Sequence, residues 1–566
     1  MNTKYDPDKY GAAQRKRQEH VDAVVAARAT KTIVVGGPGT GKTHLFRQLL
    51  DGKTNTLTLT FVNSLVSDLS LELFGVSEVR TLHAFARQQL NRITHRVVKV
   101  FSKLSAVIRQ DALFLLGTDI DFDSMFHNKC EADDRIDFYR RRRVYYDHYG
   151  FSDMVYAAVR LFEENPKTIP VYSQIVVDEF QDFNALEVAL IELLASTSPV
   201  LLVGDDDQAL YEDLKSASTE HIRHRYLDKS SGYQSFTLPY CSRCTRVIVD
   251  AANDVVAGAV ESGCLRGRIK KPFSYFEDSK RDRESERNPH IVHTQVYAKQ
   301  IPWFVQQQLG EIAKEVREKF TVLLISPTRR QARQVFNALR NKGFENVHHK
   351  EAQETGDPTL LEGLNILLKD GESDLGWRLA AKGLLPDAEF RSLLEGTAEA
   401  DRGGRLCDML ALERRREVKA LLKSLRAVRD GKSGGDEDQL TKFLKVLGVD
   451  AVGMATECLR EQVKSSPGVV VDHGIRKVFM EATTVASSKG LAADYVFITH
   501  FDDRYFIRDR DRSRIKDQEI CSFLVALTRA RRKVFLISSD PHKMPTFLKW
   551  INRARIHKMP CVPRTS

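Results

Sequence analysis

Nowhere in the 566 residues does an apolar run reach the ~18–20 residues that a bilayer-spanning helix needs. The first twenty residues, MNTKYDPDKYGAAQRKRQEH, are polar and lack the apolar core of a secretory signal. Both absences point to a cytosolic protein with no membrane partner. Cysteine is sparse, eight in all and scattered. Without a secretory signal these read as reduced thiols rather than a disulfide frame. Cys241 and Cys244 form a C-x-x-C with Cys264 next along, but no fourth ligand or His pair stands at metal-like spacing. The pair reads as two small residues near a helix start. No internal repeat is present. Charge of one sign is not in large excess either. Lys and Arg exceed Asp and Glu by 86 to 76, for a net +10 and a pI near 9.0. That balance only modestly favours a polyanionic partner.

What is present is ordinary globular composition, 42% hydrophobic and 29% charged. A chain of this length divides into about three or four domain-sized units. Short apolar runs alternate with helix-period segments, which predicts α/β architecture with buried parallel sheets. Thr32–Val35, Leu57–Phe61, Ile175–Val177 and Val200–Val203 are strand candidates. A second α/β series is expected to open near Phe236. Its strands are expected at Ile291–Val296, Val322–Ile325, Phe479–Ala482, Val496–Thr499 and Val534–Ile537. Two stretches break the rhythm, a charged, tyrosine-rich one from Arg87 to Gly150 and a helical one from Asp357 to Ser466. They read as insertions. Arg281–Asn288 (RDRESERN) and Lys432–Asp438 (KSGGDED) read as polar loops.

Gly36–Thr43 spells GGPGTGKT, between the apolar strand TIVV and a plausible helix. In such a loop Gly36, Gly37, Pro38, Gly39, Thr40 and Gly41 bring backbone N–H groups around phosphates, and the helix N-terminus adds its positive end. Lys42 neutralises the β- and γ-phosphates, and Thr43 offers a hydroxyl to Mg²⁺. The loop by itself names a nucleotide binder and no activity. Gln174–Asp182 (QIVVDEFQD) then delivers two adjacent carboxylates at a strand end, where open α/β sheets bind ligands. Asp178 is placed to hold Mg²⁺ and Glu179 to orient or deprotonate water. Mutual repulsion of the pair favours a nearby cation. A further strand ends in carboxylates at Leu201–Tyr211 (LLVGDDDQALY), where Gln208 is a candidate sensor of the γ-phosphate.

The ordered series GGPGTGKT, TLHAFARQQL, VDEFQDFN, VGDDDQALY, TTVASSKGL and FLVALTRARRKVFLI resembles the UvrD/Rep family of superfamily 1 helicases. The resemblance runs from about Gln18 to Ser538 and implies two RecA-like P-loop domains, each carrying a mostly helical insertion. The implied bounds are 1–86 and 153–235 for the first, with insertion 87–152, and 236–356 and 471–566 for the second, with insertion 357–470. It further implies ATP and Mg²⁺ between the domains, single-stranded DNA across both, and 3′→5′ movement. By the same resemblance Gln18 reads adenine, Arg243 reaches the γ-phosphate, Arg529 is an arginine finger, and Lys489 with Gly490 marks the turn coupling ATP to DNA. The expected DNA contacts are Thr60, Phe61, Asn63, Thr81, His83, Phe85, Tyr211 and Lys489; stacking by Phe61, His83 or Tyr211 tolerates any base. Core packing is the competing reading for Phe61 and Phe85.

The sequence departs from the family at Ser242, where a tyrosine stacks on adenine; Tyr240 is out of register. Asp213 stands where an aromatic is expected, with Lys215 one residue from the usual arginine. Ala486 and Ala492 replace a histidine and a glutamate. Hydrolysis is therefore the firmer expectation and unwinding the softer. The alternative is a DNA-stimulated ATPase acting as a nucleic-acid sensor or partner-regulating switch; a degenerate binding module is a third reading. Arg140–Arg143 and the basic helix candidate Leu412–Arg429 are either solvated faces or contacts to DNA or a partner. Expected partners are single-stranded DNA, its junctions with duplex, and a protein such as a nuclease or repair factor. A nucleoid association follows if the source is prokaryotic. The stretch after Arg529 is too short for an appended nuclease domain.

Overall fold

The structure, a computed structural model, describes residues 7–61, 63–316, 318–344, 347–349, 356–399, 404–429, 478–507, 515–540 and 542–560. Lys432–Asp438, read as a loop, lies outside the described residues. The chain forms two compact units. One comprises Met1–Phe85, Val159–Gln353 and Val470–Ser566, the other Ala86–Ala158 and Glu354–Val469. Among the described residues no helix is long and apolar enough to cross a membrane.

The first unit contains two α/β lobes. The first lobe is built on β1 (Lys31–Gly36), β2 (Thr56–Thr60), β3 (Glu78–Thr81), β4 (Gln174–Val177), β5 (Val200–Gly204) and β6 (Gln234–Leu238). Their sheet order is β3-β2-β4-β5-β1-β6. The inner strands are continuous apolar or β-branched runs, and β2, β4 and β5 are buried along their whole length. That is the pattern of a parallel sheet covered on both faces, where each buried aliphatic side chain contributes ~1.5–3 kcal/mol. The second series, expected from the sequence to open near Phe236, does not open there. β6 pairs in parallel with β1, Val34 opposite Phe236, and is the edge of the first sheet. A lone apolar run carries no label saying which sheet it joins.

After a short parallel pair, β7 (Tyr240–Cys241) and β8 (Ser274–Tyr275), the second lobe follows. Its strands are β9 (Ile291–Gln295), β10 (Phe320–Ser326), β11 (Val347–His349), β12 (Val478–Thr484), β13 (Ala493–Ile498), β14 (Ala530–Ser538) and β15 (Ile556–Lys558). They order as β11-β12-β10-β13-β14-β9-β15. One face packs on the helices Arg246–Glu261 and Asp517–Leu527, the other on Ile301–Glu315 and Arg329–Arg340. The charged stretch Arg281–Asn288 is not a loop. A helix spans Ser279–Arg287, with Asp278 accepting from the amides of Lys280 and Arg281 as its N-cap. Its arginines alternate with acids, which a helix tolerates as readily as a loop.

The described part of the second unit is helical. Leu104–Leu116, Asp134–Tyr146, Leu360–Lys369, Asp374–Leu384, Asp387–Glu399 and Leu412–Arg429 are its longer helices. Val418, Leu422 and Leu425 turn one face of the basic Leu412–Arg429 helix into a core shared with Trp377 and Phe390. The Arg140–Arg143 run is not a single solvated face. Arg142 is buried and pairs with Asp111, which Arg378 also holds, while Arg140 remains exposed beside Asp137. Burial of Asp111 opposes its charge, but the two guanidiniums outweigh it and hold the carboxyl below its usual range.

Candidate active site

β1 runs straight into the glycine loop, and Gly39 and Gly41 adopt φ of +72° and +91°. A Cβ at Gly39 would overlap the Cβ of Arg243, so this position requires glycine twice over. Thr40 Oγ1 donates to the carbonyl of Gly37 at 2.9 Å and closes the turn. The helix Lys42–Leu50 begins at Gly41 with no side-chain cap, leaving its first amides to a ligand or water. Lys42 Nζ lies 3.7 Å from Glu179 Oε1.

Asp178 and Glu179 sit where β4 ends, both buried. Glu179 takes a left-handed backbone, φ 56°, unusual for a side chain of its size. Gln181 Nε2 donates to Glu179 Oε2 at 2.6 Å, and Gln181 Oε1 accepts the amide of Asp205 at 2.9 Å. One amide side chain thus ties the end of β4 to the end of β5. Burial acts to raise the Glu179 carboxyl, yet Lys42, Lys489, the Gln181 amide and Arg529 outweigh it and hold it well down. Asp178 moves the other way, pushed up by burial and by the charge of Glu179.

The second lobe closes the site. Ser242 donates from its amide to the Gly39 carbonyl at 2.8 Å, bringing Arg243 against the glycine loop. Arg281 donates to the carbonyls of Cys241, Ser242 and Cys244 and so shapes the turn that carries Arg243. Cys241 and Cys244 are buried and unbridged, just before the helix from Arg246. Arg529 Nη2 donates to Gln208 Oε1 at 3.0 Å. Lys489 is only 1% exposed. Its Nζ donates to the Asp182 carboxylate and, at 2.9 Å, to the Gln208 carbonyl, and lies 3.6 Å from Glu179 Oε2.

A cavity of about 330 Å³ opens between these groups, lined by Pro38–Thr43, Asp178, Glu179, Gln208, Arg243 and Arg529. Burial, and then repulsion from Arg243, pushes Arg529 down to about 10. Two cations crowded at one cavity wall favour an anion between them, and the uncapped amides opposite favour phosphate oxygens. The carboxylate of Asp178 and the hydroxyl of Thr43, on the same wall, are hard oxygen donors suited to Mg²⁺. The residues present therefore fit a nucleoside triphosphate with its divalent cation. The neighbouring Asp205, Asp206 and Asp207 also lie close enough together to bind an ion. Lys271 Nζ occupies their centre, 2.7 Å from a carboxylate oxygen of each.

Over part of its length the chain is similar to known proteins. A family model described as an AAA domain matches residues 20–213. DNA helicase II of Salmonella typhimurium is 28% identical over 283 residues, 41% of this chain and 39% of that protein. DNA helicase II of Escherichia coli is 27% identical over the same span, with the same coverage. ATP-dependent DNA helicase PcrA of Staphylococcus aureus is 25% identical over 275 residues, 40% of this chain and 37% of that protein. Over that part of its length the chain is similar to UvrD/Rep-type superfamily 1 helicases. Its match spans about two fifths of the length of these relatives.

The residues expected from the UvrD/Rep pattern to touch DNA fall into several groups. Phe85 is 0% exposed, a core residue, and Lys489 points inward at Asp182; neither is placed to meet a strand. Phe85 is buried because the helix Leu82–Thr94 turns that position toward the interior, which the spacing of TLHAF alone does not reveal. Thr60 is buried, its hydroxyl without a partner among the described residues, and Thr81 Oγ1 accepts the amide of Ala84. Phe61 packs on Phe183 and Tyr211, with Lys215 Nζ 4.3 Å from its ring centre. Tyr211 and His83 are half-buried, and the Tyr211 hydroxyl donates to the Ala486 carbonyl. Asn63 opens the helix Asn63–Glu72. Gln18 Nε2 donates to Asp22 and Gln48 and does not line the cavity. Reading the sequence missed Gln181, Lys271 and Arg281, and misplaced Lys489 on the DNA side. The only signal for Gln181 is its place two residues after Glu179; Lys271 and Arg281 carry none.

Proposed function

We propose that this chain is an ATP-dependent translocase or helicase that moves 3′→5′ on single-stranded DNA. The observation supporting it best is the convergence of Lys42 and Glu179 from one lobe with Arg243 and Arg529 from the other on one cavity. When bound, magnesium ATP supplies the phosphoanhydride bond whose cleavage drives the cycle. Lys42 and the loop amides grip the β- and γ-phosphates, and Thr43 and Asp178 hold the cation. Glu179, kept ionised by its cationic neighbours, accepts the proton of the attacking water. Arg243 and Arg529 bind the γ-phosphate bidentately from the second lobe, so its loss releases the lobes from each other. Gln18 reads the base in this assignment, which requires its amide to leave Asp22 and Gln48.

In the same reading, residues 1–86 and 153–235, extended to Leu238 by β6, carry the phosphate loop. Residues 239–356 and 471–566 carry the arginines, with 87–152 and 357–470 as insertions. Single-stranded DNA crosses the lobes near Phe61, Asn63, His83 and Tyr211. Lys215 over the Phe61 ring favours a second reading, an ATPase switch that senses DNA and unwinds little, because a base would have to displace that ammonium to stack. ATP turnover measured with no nucleic acid, single-stranded DNA, duplex and RNA in parallel tests the motor reading. Strong stimulation by single-stranded DNA is expected, and indifference to DNA overturns it. A strand-displacement assay then separates motor from switch.

A further inference from the structure

The buried charges beside the cavity have a cation that no part of the above reading uses. Lys271 lies between Leu265 and Tyr275, both buried in the core of the second lobe, yet its ammonium reaches the end of β5 in the first lobe. Its side chain is 4% exposed, and Nζ stands 2.7 Å from Asp205 Oδ1, Asp206 Oδ1 and Asp207 Oδ2. Asp206 and Asp207 each have another cation, Arg223 at 3.1 Å and Arg268 at 2.6 Å. Asp205 has Lys271 alone among the described ion pairs. Its second oxygen, Oδ2, accepts the Gln208 amide Nε2 at 2.6 Å. The other end of that amide, Oε1, accepts Arg529 Nη2 at 3.0 Å. A carboxylate acceptor on one side and a guanidinium donor on the other leave the Gln208 amide a single orientation. That orientation requires Asp205 to stay an acceptor, and a buried carboxylate stays charged only while a cation faces it.

We propose that Lys271 is a positioning residue for hydrolysis: it keeps Asp205 ionised, Asp205 orients Gln208, and Gln208 aims Arg529 into the cavity. Because Lys271 comes from the second lobe, the relay is complete only while the lobes are together. The inference rests on the ATPase reading of the cavity.

Lys271→Met, close in size and uncharged, tests it beside Arg268→Met, which removes a cation from the same cluster but faces Asp207. Lys271→Met is expected to lower kcat about ten-fold or more with the KM for ATP within about three-fold, and Arg268→Met to leave kcat within about two-fold. In a Gln208→Ala background, Lys271→Met is expected to add little, since both act through one amide. Equal losses from Lys271→Met and Arg268→Met, or full additivity with Gln208→Ala, overturn the proposal in favour of a merely structural cluster. Should Lys271→Met not fold, Lys271→Gln carries the same comparison. A crystal structure of the Lys271 variant gives a readout independent of turnover. Gln208 swung away from Arg529 is the expected result, and Gln208 still bridging Asp205 and Arg529 overturns the relay. An inactive wild type with Gln208 displaced in the variant would instead remove the ATPase reading and leave the relay standing.

Discussion

Two neighbouring strands of the first lobe end in nearly the same sequence signal, and the fold treats them oppositely. β4 delivers Asp178 and Glu179 to the wall of the cavity, with Lys42 3.7 Å from Glu179. β5 delivers Asp205, Asp206 and Asp207 to a point filled by Lys271, Arg268 and Arg223. Adjacent carboxylates at a parallel strand end therefore do not by themselves identify a metal or catalytic site. What separates the two is whether the chain's own cations complete the charge. At β5 they do, and the cluster pins one lobe to the other. At β4 the charge is shared between nearby cations and a cavity able to take a ligand.

Stability separates the clusters most. Asp206→Ala leaves Lys271 and Arg223 buried with too little negative charge and should cost ~3–5 kcal/mol, read from urea unfolding. Asp178→Ala should cost far less, because a residue poised for a ligand is not stabilising the empty fold; equal losses would break the comparison. Activity should separate them in reverse. Lys42→Ala should lower DNA-stimulated phosphate release by roughly 10²–10³-fold, and unchanged turnover would remove the phosphate-loop assignment. Metal affinity sharpens the contrast further. With ATP present, Asp178→Asn should weaken Mn²⁺ binding by about ten-fold, measured by electron paramagnetic resonance, while Asp207→Asn leaves it unchanged.

The smallest effect concerns bases rather than acids. Burial pushes His293 and His500 in the second lobe down to about 4. Above the ordinary histidine range neither state binds these protons, so stability is flat. As pH falls from about 6.5 toward 4, the unfolded chain takes them up first, and stability is lost. At about pH 5.5 each histidine should cost ~1 kcal/mol. In urea melts at pH 7 and 5.5, His293→Asn should shrink the drop by that amount; an undiminished drop would show that His293 already protonates in the fold.

The fold class was legible because it depends on local periodicity. Runs such as TIVV, QIVV and VLLVG are mostly apolar and β-branched, as a covered parallel sheet requires. The glycine loop was legible because phosphate binding uses consecutive backbone amides. Arg243 and Arg529 were legible only through an ordered set of motifs, since nothing local says that arginines about 290 residues apart in sequence face one cavity. Other features were not legible in any form. Whether β6 closes the first sheet or opens the second depends on which edge is vacant. Whether RDRESERN coils or loops depends on Asp278 as its cap and on Arg281 reaching three carbonyls.

By itself, then, the sequence determined the strand and helix content, the phosphate cradle and the carboxylates at the two strand ends, because each is set by residues adjacent in the chain. Only the tertiary structure decided which carboxylates are already neutralised, where Lys489 and Phe85 point, and that Lys271 reaches across to Asp205. Those outcomes depend on burial and on charges brought together from distant segments, and electrostatic energy in a dry interior follows distance in space rather than along the chain.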